Sequence, residues 1–200
     1  MSTIRFARHH LSISAARFAA VAIASAAALC AMALISPVLT AADGAAAPLP
    51  AGKNWAGPKR KIYAQVLSDQ IMAQHPELIS VTLHGVPPGA PPETYTMFAG
   101  SFPERIGNAD DPDDVMVIEK GITILDPRWH KTNDAQKKYV VMTPLRDAAG
   151  ENIGLLVLAY KNPAGSTRTD LEFLKAGAAL RDALRTRISS QAALFAPAAP

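Results

Sequence analysis

Ile153-Gly154-Leu155-Leu156-Val157-Leu158 restricts the fold more than any other segment. A β-strand turns successive side chains to opposite faces, so a strand that is apolar at consecutive positions must be covered above and below. This segment is therefore predicted to be a central strand. Tyr139 to Leu145 is an equally strong strand signal, joined to it through Asp147-Ala148-Ala149-Gly150. That linker fits a type I turn in which Gly150 supplies the positive φ. Leu78 to His84 and Thr94 to Ala99 read as two more strands, and Ile122 to Leu125 as a short fifth. Between the first pair, Pro87-Pro88-Gly89-Ala90-Pro91-Pro92 can only be a loop.

Helices frame these strands. Lys59 to His75, opened by Pro58 and stopped by Pro76, places Ile62, Tyr63, Val66, Leu67 and Ile71 on one broad face. Asp111-Pro112-Asp113-Asp114 announces a helix with Asp111 as N-cap, Pro112 at the first position and carboxylates in the positive first turn. Gly121 ends it. Thr169 to Ile188 is a long helix whose stripe runs Phe173, Gly177, Leu180, Leu184 and Ile188. Strands joined by turns and covered by helices predict an α+β domain with an antiparallel five-stranded sheet and long N- and C-terminal helices.

The beginning of the chain has a different character. Arg5, Arg8 and Arg17 precede a charge-free apolar run from Phe18 to Ile35, then Pro37, then small residues up to Ala42. This is the layout of a secretory signal peptide over residues 1–42. An uncleaved membrane anchor is the alternative, because the run is about long enough to span a bilayer. Export to the periplasm or medium is therefore expected, with inner-membrane anchoring as the alternative. Cys30 is the only cysteine and lies in this run, so a processed chain has no thiol chemistry, disulfide or cysteine metal site. Residues 43–57 and 191–200 are rich in Ala and Pro and read as a flexible linker and a tail. The domain is expected over residues 58–190.

The formal charge of +3 belongs to that leader. Setting aside its three arginines leaves as many basic residues as the 17 acidic ones. Nucleic-acid binding needs a surplus of Lys and Arg, so that class is excluded.

The layout resembles the Cache, or PDC-like, extracytoplasmic sensor domains, relatives of PAS domains and here of single-Cache type. The resemblance covers about Lys59 to Tyr160. It rests on the long helix leading into the first strand and on the connection holding Phe102-Pro103-Glu104-Arg105-Ile106-Gly107 and the capped helix. Gly121-Ile122-Thr123 and the hairpin Pro144 to Leu155 complete it. It implies a pocket for a small metabolite, such as a carboxylate or amino acid, under the connection between the second and third strands. Family members usually drive a cytoplasmic module from between two membrane spans. Here only an Ala/Pro tail follows the last helix, so a signal would pass to a membrane-bound partner protein.

Within that expectation Arg105 is the best-placed cation, because a buried anion must be paired. Tyr95 and Tyr139 sit on strands that would line the cleft, and Trp129 and His130 lie in a polar loop at its edge. A plainer alternative holds beside it: Arg105 braces the loop and the tyrosines are half-buried sheet residues. Four carboxylates at Asp110, Asp111, Asp113 and Asp114 lack the glycine and distal Glu of a calcium loop, and helix capping accounts for them. His75, His84 and His130 share no ligand spacing, so no metal and no cofactor are expected. No nucleophile elbow, phosphate loop or dinucleotide motif is present, and an enzyme is not expected. The alternative function is a protein–protein module that dimerises through its helices.

Overall fold

The computed structural model describes residues 49–125 and 136–198. Leu78–Gly85 (β1), Thr96–Gly100 (β2), Ile124–Leu125 (β3), Lys138–Arg146 (β4) and Asn152–Lys161 (β5) form one antiparallel sheet. Its order is β2-β1-β5-β4-β3, so the doubly apolar segment is the central strand. The helices are Tyr63–Gln74 (α1), Pro112–Lys120 (α2), Asp170–Arg185 (α3) and the short Gln191–Leu194 (α4). The α+β class and the five-stranded sheet are thus as the sequence predicts.

Alternation along the strands makes two unequal faces. One face carries Val81 and Leu83 of β1, Tyr139, Val141 and Leu145 of β4, and Leu156, Leu158 and Tyr160 of β5, all buried. Leu67 and Ile71 of α1, Phe173 and Leu184 of α3, and Leu194 of α4 pack against them. The other face carries Val140, Met142, Leu155 and Ala159, but of the helices only α2 adds a fully buried residue, Val117. A nine-residue helix cannot cover a sheet of this width, and the cleft lies on the end of this face that no described helix covers.

Local chemistry fixes the helix ends. Asp111 and Asp114 form a capping box at the start of α2, with the Asp111 amide donating to Asp114 Oδ2 at 3.1 Å. Thr169 and Glu172 do the same for α3. The predicted turn between β4 and β5 closes with the Gly150 amide on the Asp147 carbonyl at 2.9 Å, and Gly150 has φ +92°.

Two expectations about the ends of the domain need correction. The described part of the predicted linker is held by the chain. The Asn54 amide donates to the Gly107 carbonyl at 2.9 Å, Asn54 Nδ2 donates to the Tyr95 carbonyl at 2.8 Å, and Lys53 Nζ donates to the Glu104 and Ile106 carbonyls. The described part of the predicted tail forms α4 and buries Leu194 completely. Phe195 contacts Trp55 edge-on at 6.0 Å and Phe98 at 4.8 Å. Ala/Pro content masked the three residues that matter, because Trp55, Leu194 and Phe195 supply the apolar area that offsets ordering. Among the described residues no helix is long and apolar enough to cross a membrane.

Candidate functional site

Ser80, Thr82 and His84 occupy alternate positions of β1 and line one cleft, while Val81 and Leu83 between them enter the core. That alternation follows from the strand period of two. Val157 and Ala159 of β5 and Lys138 and Val140 of β4 continue the floor. The rim is built from Phe102 and Arg105 in the connection after β2 and from Asp114 in the first turn of α2. The cavity volume is about 160 Å³. At roughly 10–15 Å³ for each water-sized centre, it admits on the order of ten ligand atoms.

Charge in the cleft is divided. Arg105 is exposed at one side, its guanidinium carbon 5.4 Å from the Phe102 ring centroid, a cation–π contact that orients it. The acidic side is buried. His84 Nδ1 lies 2.7 Å from Asp110 Oδ1, and His84 Nε2 lies 2.7 Å from Thr82 Oγ1. The Asp110 side chain is only 1% exposed, and its second oxygen, Oδ2, has no hydrogen-bond partner among the described residues. Asp114 completes the group: His84, Asp110 and Asp114 each bring one potential donor atom within 4.8 Å of the others. Burial pushes the Asp114 carboxyl up from its ordinary value, and nearby Asp110 adds to that while His84 opposes it.

Of the residues predicted for a ligand site, Arg105 lines the cleft. Tyr139 does not: its ring stacks on Phe173 at 4.3 Å with planes 8° apart, on the opposite, helix-covered face. The strand period explains the miss, since Lys138 and Val140 on either side point the other way. Tyr95 lies just before β2 and donates its hydroxyl to Glu119 Oε1 at 2.9 Å. It is not among the cleft residues, and that hydrogen bond raises its phenol pKa. Trp129 and His130 lie outside the described residues.

Sequence reasoning missed Ser80, Thr82 and His84. Their signal was present, because polar residues alternate with Val81 and Leu83 through a strand otherwise built for burial. It also gave all four aspartates to helix capping. Asp111 serves that purpose, whereas the Asp110 side chain pairs with His84 and Asp114 takes part in both capping and cluster.

No protein-family description matches the chain, and none of the curated proteins matches it in sequence. Solved structures similar to it include the type II free methionine-R-sulfoxide reductase of Thermoplasma acidophilum, at 13% identity and a TM-score of 0.44, covering 66% of this chain and 92% of that one. The GAF domain of a two-component sensor histidine kinase from Bacillus halodurans is similar at 14% identity and a TM-score of 0.39, covering 60% and 89%. The inducer-binding domain of the PobR transcription factor from Acinetobacter, in complex with 3-hydroxybenzoic acid, is similar at 13% identity and a TM-score of 0.34, covering 62% and 97%. These are likenesses of fold and carry no argument about ligand or activity.

Proposed function

We propose that the domain is an exported, Cache-like binding domain that senses or sequesters a small carboxylate metabolite in the cleft. The observation that carries this reading is the cleft on the half of the sheet face that no described helix covers. There hydroxyls from Ser80 and Thr82, the His84 imidazole and the Arg105 guanidinium converge around a floor of Val140, Val157 and Ala159. Apolar walls with a few convergent polar groups are the usual form of a small-molecule site. Arg105 can hold a carboxylate through paired N–H donors, and the hydroxyls can accept or donate to the rest of the ligand. Thr82 Oγ1, His84 and Asp110 are joined in a hydrogen-bonded chain, and we take that chain to orient the imidazole for binding rather than to serve turnover. A bound ligand would be reported to a membrane-bound partner protein through the connection that carries Arg105.

Two experiments test this. A thermal-shift screen of small carboxylates and amino acids, run with a chelator present, is expected to find a compound that raises the unfolding midpoint. At a hundred times its dissociation constant such a ligand adds about 2.7 kcal/mol. Arg105→Ala should then weaken binding by about 10- to 100-fold, the loss of one charge-assisted contact. A screen without any shift removes the binding reading, and a ligand indifferent to Arg105→Ala removes the carboxylate. Export is checked by fractionation and N-terminal sequencing, which should find a mature chain starting at Asp43. An intact Met1 terminus in the cytoplasm refutes it.

A further inference from the structure

We infer that His84, Asp110 and Asp114 form a binding site for a divalent transition metal of the Zn²⁺ class at the buried end of the cleft. The inference deepens the binding reading by adding an anchor for the ligand, but the metal site stands or falls without any organic ligand. Three observations carry it. The donors are one imidazole nitrogen and two carboxylate oxygens, all within 4.8 Å of one another. Imidazole with carboxylate suits Zn²⁺ and its neighbours, whereas Ca²⁺ and Mg²⁺ prefer oxygen alone.

The second observation is the Asp110 carboxylate. It is 99% buried, and its Oδ2 has no hydrogen-bond partner among the described residues. The two oxygens of one carboxylate share a carbon, so the unpartnered oxygen lies beside the one that meets His84. A buried carboxylate oxygen without a donor is costly, and a cation would satisfy it. The third is charge. Two buried carboxylates face one imidazole, which at most neutralises one of them. Arg105 and Lys138 also line the cleft, but Arg105 is exposed at its rim.

The hydrogen-bond arrangement shows how the ion would be accepted. His84 Nδ1 and Asp110 Oδ1 are 2.7 Å apart, and as two donors of one tetrahedral Zn²⁺ they would move apart to about 3.3 Å. Binding through Nδ1 selects the neutral ring that carries its proton on Nε2, and a proton on Nδ1 moves to Nε2 or, from the doubly protonated ring, leaves to solvent. Thr82 Oγ1 then accepts from Nε2–H, fixing the tautomer and the ring plane as an outer partner does in metal sites. Three protein donors leave at least one position of a tetrahedral ion for a carboxylate held by Arg105.

The test is calorimetric titration of the chelator-treated full chain with Zn²⁺ alone. One saturable equivalent is expected, with a raised thermal midpoint and a weaker response to Mg²⁺. Asp110→Asn and Asp114→Asn keep side-chain size and should each weaken binding by at least about tenfold. Circular dichroism checks that both fold, and if one does not, the other decides. His9 and His10 are a second pair of metal donors in the full chain, so a variant with both replaced should retain the equivalent. Absence of saturable binding overturns the site. So does binding that survives both Asn variants or disappears with His9 and His10. In either case the carboxylate reading, tested under chelator, remains open.

Discussion

Phe173→Ala should lower the free energy of unfolding by about 3–5 kcal/mol, the range for removing a fully buried aromatic ring. Phe173 is completely inaccessible and sits where α3 meets the sheet. Tyr139 stacks on it, Tyr160 tilts against it at 5.6 Å, and the Arg168 guanidinium covers it at 4.2 Å. No neighbour can collapse into the space without abandoning another of these contacts, so the cavity cost adds to the lost transfer energy. Urea denaturation followed by circular dichroism measures this, and a loss below about 1 kcal/mol would show that the cluster repacks freely.

The same variant has a second readout. Burial pushes the Tyr160 phenol up to about 12. A raised folded-state value means that its contribution to stability is complete below about pH 10, the unfolded value, and disappears as pH climbs towards 12. Opening the cavity beside Tyr160 should bring its titration back towards 10. The ultraviolet phenolate band of the variant should therefore appear at lower pH than in the parent.

Gly154→Val is the other large effect, about 3–5 kcal/mol from a strained backbone and an overfilled contact together. Gly154 has φ +155°, and a Cβ placed there would lie 2.3 Å from the carbonyl oxygen of His84. That oxygen is backbone, so neither rotamer nor side-chain motion relieves the clash. Strands β1 and β5 would have to part at the residue that holds the cleft histidine. Loss of soluble protein, or a midpoint lowered by at least 10 °C, is expected. An unchanged midpoint would mean that the strands separate at no cost.

How much of this was legible in the sequence differs between fold and site. The central strand, the capped α2 and the turn at Gly150 were readable because each rests on a local rule: consecutive apolar residues, an Asp-Pro pair, a glycine where φ must be positive. Tyr139 was misplaced because its exposure depends on which phase of an alternating strand faces the helices, and β4 is apolar in both phases. The cluster was hidden for a different reason. Asp110 and His84 are far apart in sequence, and only the return of the chain after β2 brings them together. Asp114 has a sufficient local explanation as a cap, which concealed its second neighbour. Trp55 and Phe195 were overlooked because the segments around them look disordered by average composition, although one aromatic ring in each is enough to dock it.

That docking ties the two ends of the domain to one another. The Tyr63 amide donates to the Ala196 carbonyl and the Ala198 amide to the Lys61 carbonyl, both at 2.9 Å, with Ile62 and Pro197 paired as a bridge. A contact between such distant stretches repays its loop-closure entropy only after everything between them is in place. During synthesis the clasp cannot form while residues 191–198 are still within the ribosome. The native structure therefore closes late, when residues 191–198 have emerged and meet the stretch of chain before α1.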